Sequence, residues 1–191
     1  MLLNIALGRT AFTWPDVQGE AIGALASRRD PAVSTALAIV LQPHQPLPTR
    51  QAAAQALQVL PCTPESFWAI LHYLERVWQG ELNYEDRTNY PPGLNDGVKA
   101  DLTKDQQDVY QALYRTLKRE PKLALGTLVQ VYGLGTDSCS KFALDVVSRM
   151  RFREACPALL QSAQLAEQSA AESFIAPRQE IEAALRALKC Q

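Results

Sequence analysis

Four times along the chain an Ala/Leu-rich amphipathic helix is followed by a short break and a second apolar helix, a repetition that leaves stacked helix pairs as the expected architecture. The first copy starts at Glu20, runs through Leu25, breaks at Asp30-Pro31 and resumes from Ala36 to Leu41. The second begins Arg50-Gln51-Ala52-Ala53-Ala54, breaks at Pro61-Cys62-Thr63-Pro64 and resumes from Phe67 to Val77. A third runs Val109-Tyr110-Gln111-Ala112-Leu113, breaks at Glu120-Pro121 and resumes as Leu123-Ala124-Leu125. The fourth reads Phe142 to Val147, breaks near Arg151-Phe152-Arg153 and resumes as Glu154 to Leu160. With Leu25, Leu57, Leu113 and Val147 as equivalents, the steps are about 32, 56 and 34 residues, the size that two-helix solenoid repeats produce, with roughly 22 residues inserted in the middle interval.

The same periodicity predicts helices over 15–28, 31–41, 48–60, 64–80, 103–119, 121–132, 137–150, 153–170 and 176–189. No stretch alternates apolar and polar residues for long enough to compete as a strand. The expected fold is therefore all-α, an α-solenoid of about four helix pairs forming one domain over 1–191, with an N-terminal strip at 1–14 and a loop at 81–102 inserted between repeats two and three. Punctuation agrees. Pro15, Pro31, Pro48, Pro64 and Pro121 fall in first helical turns, where the missing N–H has no helical acceptor to lose. Asp30, Thr63, Thr103 and Asp137 are placed to cap helices, and Gly133 suits a helix end that needs a left-handed residue. Gly133-Leu134-Gly135-Thr136 is no phosphate loop, because it follows a helix and lacks the strand and the lysine. In the last helix Ile181, Ala184, Leu185 and Leu188 line one stripe, as expected of a helix capping an open stack.

The run Ala143-Leu144-Asp145-Val146-Val147-Ser148-Arg149-Met150-Arg151-Phe152-Arg153-Glu154-Ala155-Cys156-Pro157-Ala158-Leu159-Leu160 resembles the HEAT-like repeat in the variant typified by phycobilisome lyases. Asp30-Pro31 resembles that repeat's turn, and Arg50 the arginine that often opens its Ala-rich helix. The resemblance covers about two thirds of the chain and implies a curved array of helix pairs presenting one face to a protein partner. In the lyase branch it also implies help in attaching a linear tetrapyrrole to a cysteine of an antenna protein.

Charge narrows the partner class. With 19 basic and 20 acidic residues the chain is nearly neutral, and it lacks the basic stripe with which nucleic-acid binders displace counterions from phosphates. The apolar start Met1-Leu2-Leu3-Asn4-Ile5-Ala6-Leu7 is unpreceded by basic residues and ends at Arg9, too short for a membrane span or a secretory signal. The expected location is cytoplasmic, where Cys62, Cys139, Cys156 and Cys190 would be reduced. Their spacing with His44 and His72 matches no metal-ligand pattern, and no cofactor is expected.

Candidate contact residues come from three places. The 81–102 loop carries Tyr84, Arg87 and Tyr90 around a Pro-Pro-Gly turn, and aromatic rings supply binding area at low entropic cost. On the preceding helix, Phe67, Ile70, Leu71, Leu74, Val77 and Trp78 define the core face, leaving Trp68, His72, Glu75 and Gln79 on a neighbouring stripe. Tyr110 and Tyr114 stand one turn apart beside Val109, Leu113 and Leu117. Nucleophilic chemistry is poorly provided for. Cys62 and Cys156 fall in breaks between paired helices, Cys139 near a helix start has only the helix dipole to favour a thiolate, Glu85-Asp86 have no opposing carboxylate, and His44 lies in a turn. The sequence thus reads as a non-catalytic protein-binding adaptor or assembly factor. Its alternative is a bilin lyase or bilin chaperone in which Arg76, Arg87, Arg115 and Lys118 would meet propionates. Oligomeric state is left open, since an uncapped N-terminal face would let two copies pair.

Overall fold

The computed structural model describes residues 1–10, 14–42, 45–79, 104–134, 141–168 and 175–190, and among these every regular element is a helix. In order they are α1 (Leu2–Ala6), α2 (Pro15–Ala26), α3 (Pro31–Ile39), α4 (Leu47–Leu57), α5 (Pro64–Gln79), α6 (Lys104–Arg119), α7 (Pro121–Tyr132), α8 (Lys141–Met150), a 3-10 turn (Arg153–Ala155), α9 (Cys156–Gln168) and α10 (Ile175–Leu188). The all-α reading holds, and the N-terminal strip contributes a short helix that periodicity alone did not reveal. Thr103, Asp137 and the 81–102 loop lie outside the described residues. The chain divides into two compact units, Met1–Thr116 and Leu117–Gln191.

In the first unit α2 packs on α4, α3 packs on α5, and α1 lies against α2. Small residues make the α2–α4 approach close: a Cβ placed on Gly19 would stand 3.9 Å from the Cβ of Ala52. Ile22, Leu37, Ala53, Ala54, Leu57, Phe67, Ile70 and Leu74 fill the interior. Polar ties fix the register. Thr49 donates to the Gln18 side chain at 3.1 Å within the buried α2–α4 contact, and Thr35 and Thr63 hydroxyls meet at 2.9 Å between α3 and the start of α5. Gly8 ends α1 at φ +67°, where a Cβ would approach Gln18 Nε2 to 2.8 Å, so this turn requires glycine.

In the second unit α10 packs on both α8 and α9, and α7 meets α8 and the 3-10 turn. Tyr132 and Phe142 meet edge to face with ring centroids 5.2 Å apart. The expected stripe is buried at Ile181, Ala184 and Leu188, with Leu185 half-buried. The cysteines depart from expectation: Cys156 and Cys190 are joined as a disulfide across a Cα–Cα distance of 5.6 Å. Spacing along the chain could not show this, because the pairing arises from folding α10 back along α9. Cys62 keeps its thiol, which points toward the carbonyls of Leu57 and Leu60, and Cys139 lies outside the described residues.

Helix ends follow the predicted chemistry at their starts more than at their finishes. Asp30 accepts from the Ala32 N–H at 2.9 Å. Thr63 and Ser66 form a reciprocal box: the Ser66 N–H donates to Thr63 Oγ1 at 3.2 Å and the Thr63 N–H to Ser66 Oγ at 2.9 Å. Gly133 has a positive φ of 69°, as anticipated. Three other left-handed positions carry Arg29, Arg151 and Lys189, residues for which that conformation is unfavourable. After α8 the Arg151 N–H reaches Ser148 O and the Phe152 N–H reaches Val147 O, the paired bonds that end a helix with a left-handed residue.

Two predictions follow from these ends. The Glu65 carboxyl sits below its ordinary 4.5 because of its own backbone N–H and then the Thr63 hydroxyl; its stabilisation is therefore present above that value and fades as pH falls through the folded one. Thr63→Ala should raise the Glu65 pKa, read by NMR titration, and lower folding stability by about 1 kcal/mol. Arg151→Gly should raise stability by about 0.5–1 kcal/mol, measured by urea unfolding, because glycine accepts the left-handed conformation.

Candidate functional site

Helix α5 is the element on which sequence-derived candidates and geometry meet best. Its start is fixed by the Thr63–Ser66 box and its inner face by Phe67, Ile70, Leu71 and Leu74, all buried. Those constraints set the rotation of the helix, and rotation decides where Trp68 and His72 go. Trp68 is 49% exposed. His72, one turn on, stacks against it with ring centroids 5.3 Å apart and planes inclined by 12°. His72 Nδ1 stands 3.7 Å from Glu75 Oε2, within ion-pair range when the imidazole is protonated. The result is a flat aromatic shelf with one polar edge. Such a shelf binds by apolar contact and edge hydrogen bonding.

Tyr110 and Tyr114 on α6 also form a pair, with ring centroids 4.7 Å apart and hydroxyls at 2.9 Å. Tyr114 is buried and Tyr110 half-buried. Tyr114 is thus a core ring that keeps its hydroxyl bonded, and the exposed share of the pair falls to Tyr110. Tyr84, Arg87, Tyr90 and His44 lie outside the described residues, as do the side chains of Trp78 and Gln79. Trp14, at the start of α2, is 70% exposed.

A feature that sequence reasoning did not assemble lies between α4 and α5. Arg50 is 2% exposed, and its Nη1 donates to the hydroxyl of Tyr73, itself buried, at 3.3 Å. This ties α4 to α5 through a buried cation. Tyr73 falls among Ile70, Leu71 and Leu74 on the core face, and a tyrosine so placed must find a partner for its hydroxyl; that signal was present in the sequence. The chain matches no protein-family model, no curated protein and no solved structure.

Among the described residues no group of three or more His, Cys, Asp or Glu is arranged to hold a metal ion, and no helix is long and apolar enough to cross a membrane. Helix α5 presents an indole and an imidazole at the surface, at a rotation set by its buried face.

The Arg50–Tyr73 tie generates a stability prediction. Arg50→Ala removes a long buried side chain and leaves the Tyr73 hydroxyl without this donor, so stability should fall by about 2–4 kcal/mol, measured as a lower urea midpoint. Arg50→Lys should recover little, because a lysine cannot reproduce the planar fork of donors.

Proposed function

We propose that the chain is a non-catalytic protein-binding adaptor or assembly factor built from HEAT-like helix pairs, and that it receives its partner on the face of α5 bearing Trp68 and His72. The stacked, half-exposed Trp68–His72 pair carries this reading. A tryptophan rigidly held at a surface is the residue type that most often dominates a protein interface, because it buries a large area with few torsions to freeze. Exposed Ile39 and Val59, at the ends of α3 and α4, add apolar area to the first unit.

The packing of α2 on α4 and of α3 on α5 supports the helix-pair repeat, since each helix then lies on its counterpart in the next pair. Near-neutral net charge favours a protein over a nucleic acid as partner. Tyr84, Arg87 and Tyr90 of the 81–102 loop, and Tyr110, are further proposed contact residues. Bilin handling has the resemblance as its only support. The cytoplasm is the proposed location. In that compartment the Cys156–Cys190 disulfide would be a reversible bond, because cytosolic thiols are otherwise kept reduced.

Affinity capture from native lysate tests the proposal. The wild-type chain should retain one abundant protein, and Trp68→Ala should weaken retention by roughly 30-fold, the loss of an interface anchor worth about 2 kcal/mol. Arg28→Ala, at an exposed position outside this face, should leave capture unchanged. Equal capture by the Trp68→Ala and wild-type chains would refute the assignment.

A further inference from the structure

The disulfide joins the residue that opens α9 to the second residue beyond α10. The connection between these helices lies at their other ends, so the bond closes a ring around an antiparallel hairpin. We propose that the Cys156–Cys190 pair is a redox clasp: oxidised, it pins the end of α10 onto the rest of the second unit, and reduction by a dithiol releases that end and bares the apolar stripe of Ile181, Ala184 and Leu188.

The forces on α10 explain why the bond matters. Its described buried side chains are Ile181, Ala184 and Leu188, one of them only a methyl group. Its ion pairs to neighbouring helices, Lys141–Glu180 at 2.7 Å and Arg178–Glu167 at 3.1 Å, lie toward its beginning and are well exposed to solvent, where such pairs contribute little. A helix of 14 residues has marginal helicity without docking. At its far end stand Leu188 and the disulfide.

The backbone there is poised to open. Lys189 has φ +56°, and its N–H donates to Arg186 O at 3.2 Å while the Cys190 N–H donates to Leu185 O at 3.0 Å. This cap holds Cys190 against Cys156 at the expense of a left-handed lysine. Once the sulfurs part, Lys189 can return to negative φ, which carries Cys190 away. Both cysteines are half-buried, so a reductant can reach the bond.

A thiolate of the dithiol attacks Cys190 Sγ, forming a mixed disulfide and expelling Cys156 as the thiolate at the start of α9, the end at which the helix dipole favours negative charge. The second thiol of the reductant loses its proton and attacks its own sulfur in the mixed disulfide, releasing Cys190. Two electrons pass to the protein pair, both cysteines end as thiols after protonation, and the dithiol becomes a disulfide.

Hydrogen exchange on the full-length chain, with and without dithiothreitol, tests this. Amides of 180–190 should exchange at least about 10-fold faster after reduction, as loss of a ring closure of this length implies, and regain protection on reoxidation. Cys190→Ser should show the fast rate in either condition, whereas Cys62→Ser should retain the response of the wild type. Unchanged exchange of 180–190 in the reduced wild-type chain would overturn the proposal, as would full alkylation of Cys156 and Cys190 in the folded, air-oxidised protein without reductant.

Discussion

Close approach of α2 to α4 is the constraint on which the first unit depends. The contact of α2 with α4, where Gly19 faces Ala52, buries Ile22, Ala53 and Leu57, and close packing then leaves little rotational freedom. With α2 and α4 in register, α3 and α5 are carried into contact, and the Thr35–Thr63 bond locks the start of α5. Arg50 reinforces the same arrangement from inside, joining α4 to α5 through Tyr73. A buried arginine costs desolvation, and the bond from its Nη1 to the Tyr73 hydroxyl links α4 to α5 in this alignment.

Much of this was legible in the sequence because it is local or periodic. Prolines at helix starts, the Asp30 and Thr63 caps and the inner face of α5 all depend on residues within a turn or two of one another. The stripe on α10 was legible for the same reason. Arg50 was noticed as a repeat feature, but its partner Tyr73 was not, since the pairing crosses between helices. The Tyr110–Tyr114 pair was placed correctly as neighbours, while the burial of Tyr114 depends on packing that helical spacing does not specify.

The disulfide and the left-handed helix ends mark where sequence reasoning stopped. Cysteine spacing suggested nothing, yet α9 and α10 have 13 and 14 residues, so their lengths differ by about one helical rise of 1.5 Å. An antiparallel hairpin of equal arms brings the residue opening one helix beside the residue following the other, whereas the helices expected from the sequence, 153–170 and 176–189, are unequal and hide the pairing. At Arg29, Arg151 and Lys189 the sequence was misleading, because glycine is the residue that normally announces such a turn. Packing of the flanking helices overrides local preference at these ends.

The packing of α2 on α4 and of α3 on α5 positions the helix that carries Trp68 and His72. Nuclear Overhauser contacts in the labelled full-length protein test it most directly. The account predicts a strong contact between the Gly19 α-protons and the Ala52 methyl group, together with one between the Thr35 and Thr63 side chains. Absence of both in a folded, helical sample would contradict the stacking and remove the basis for placing the shelf.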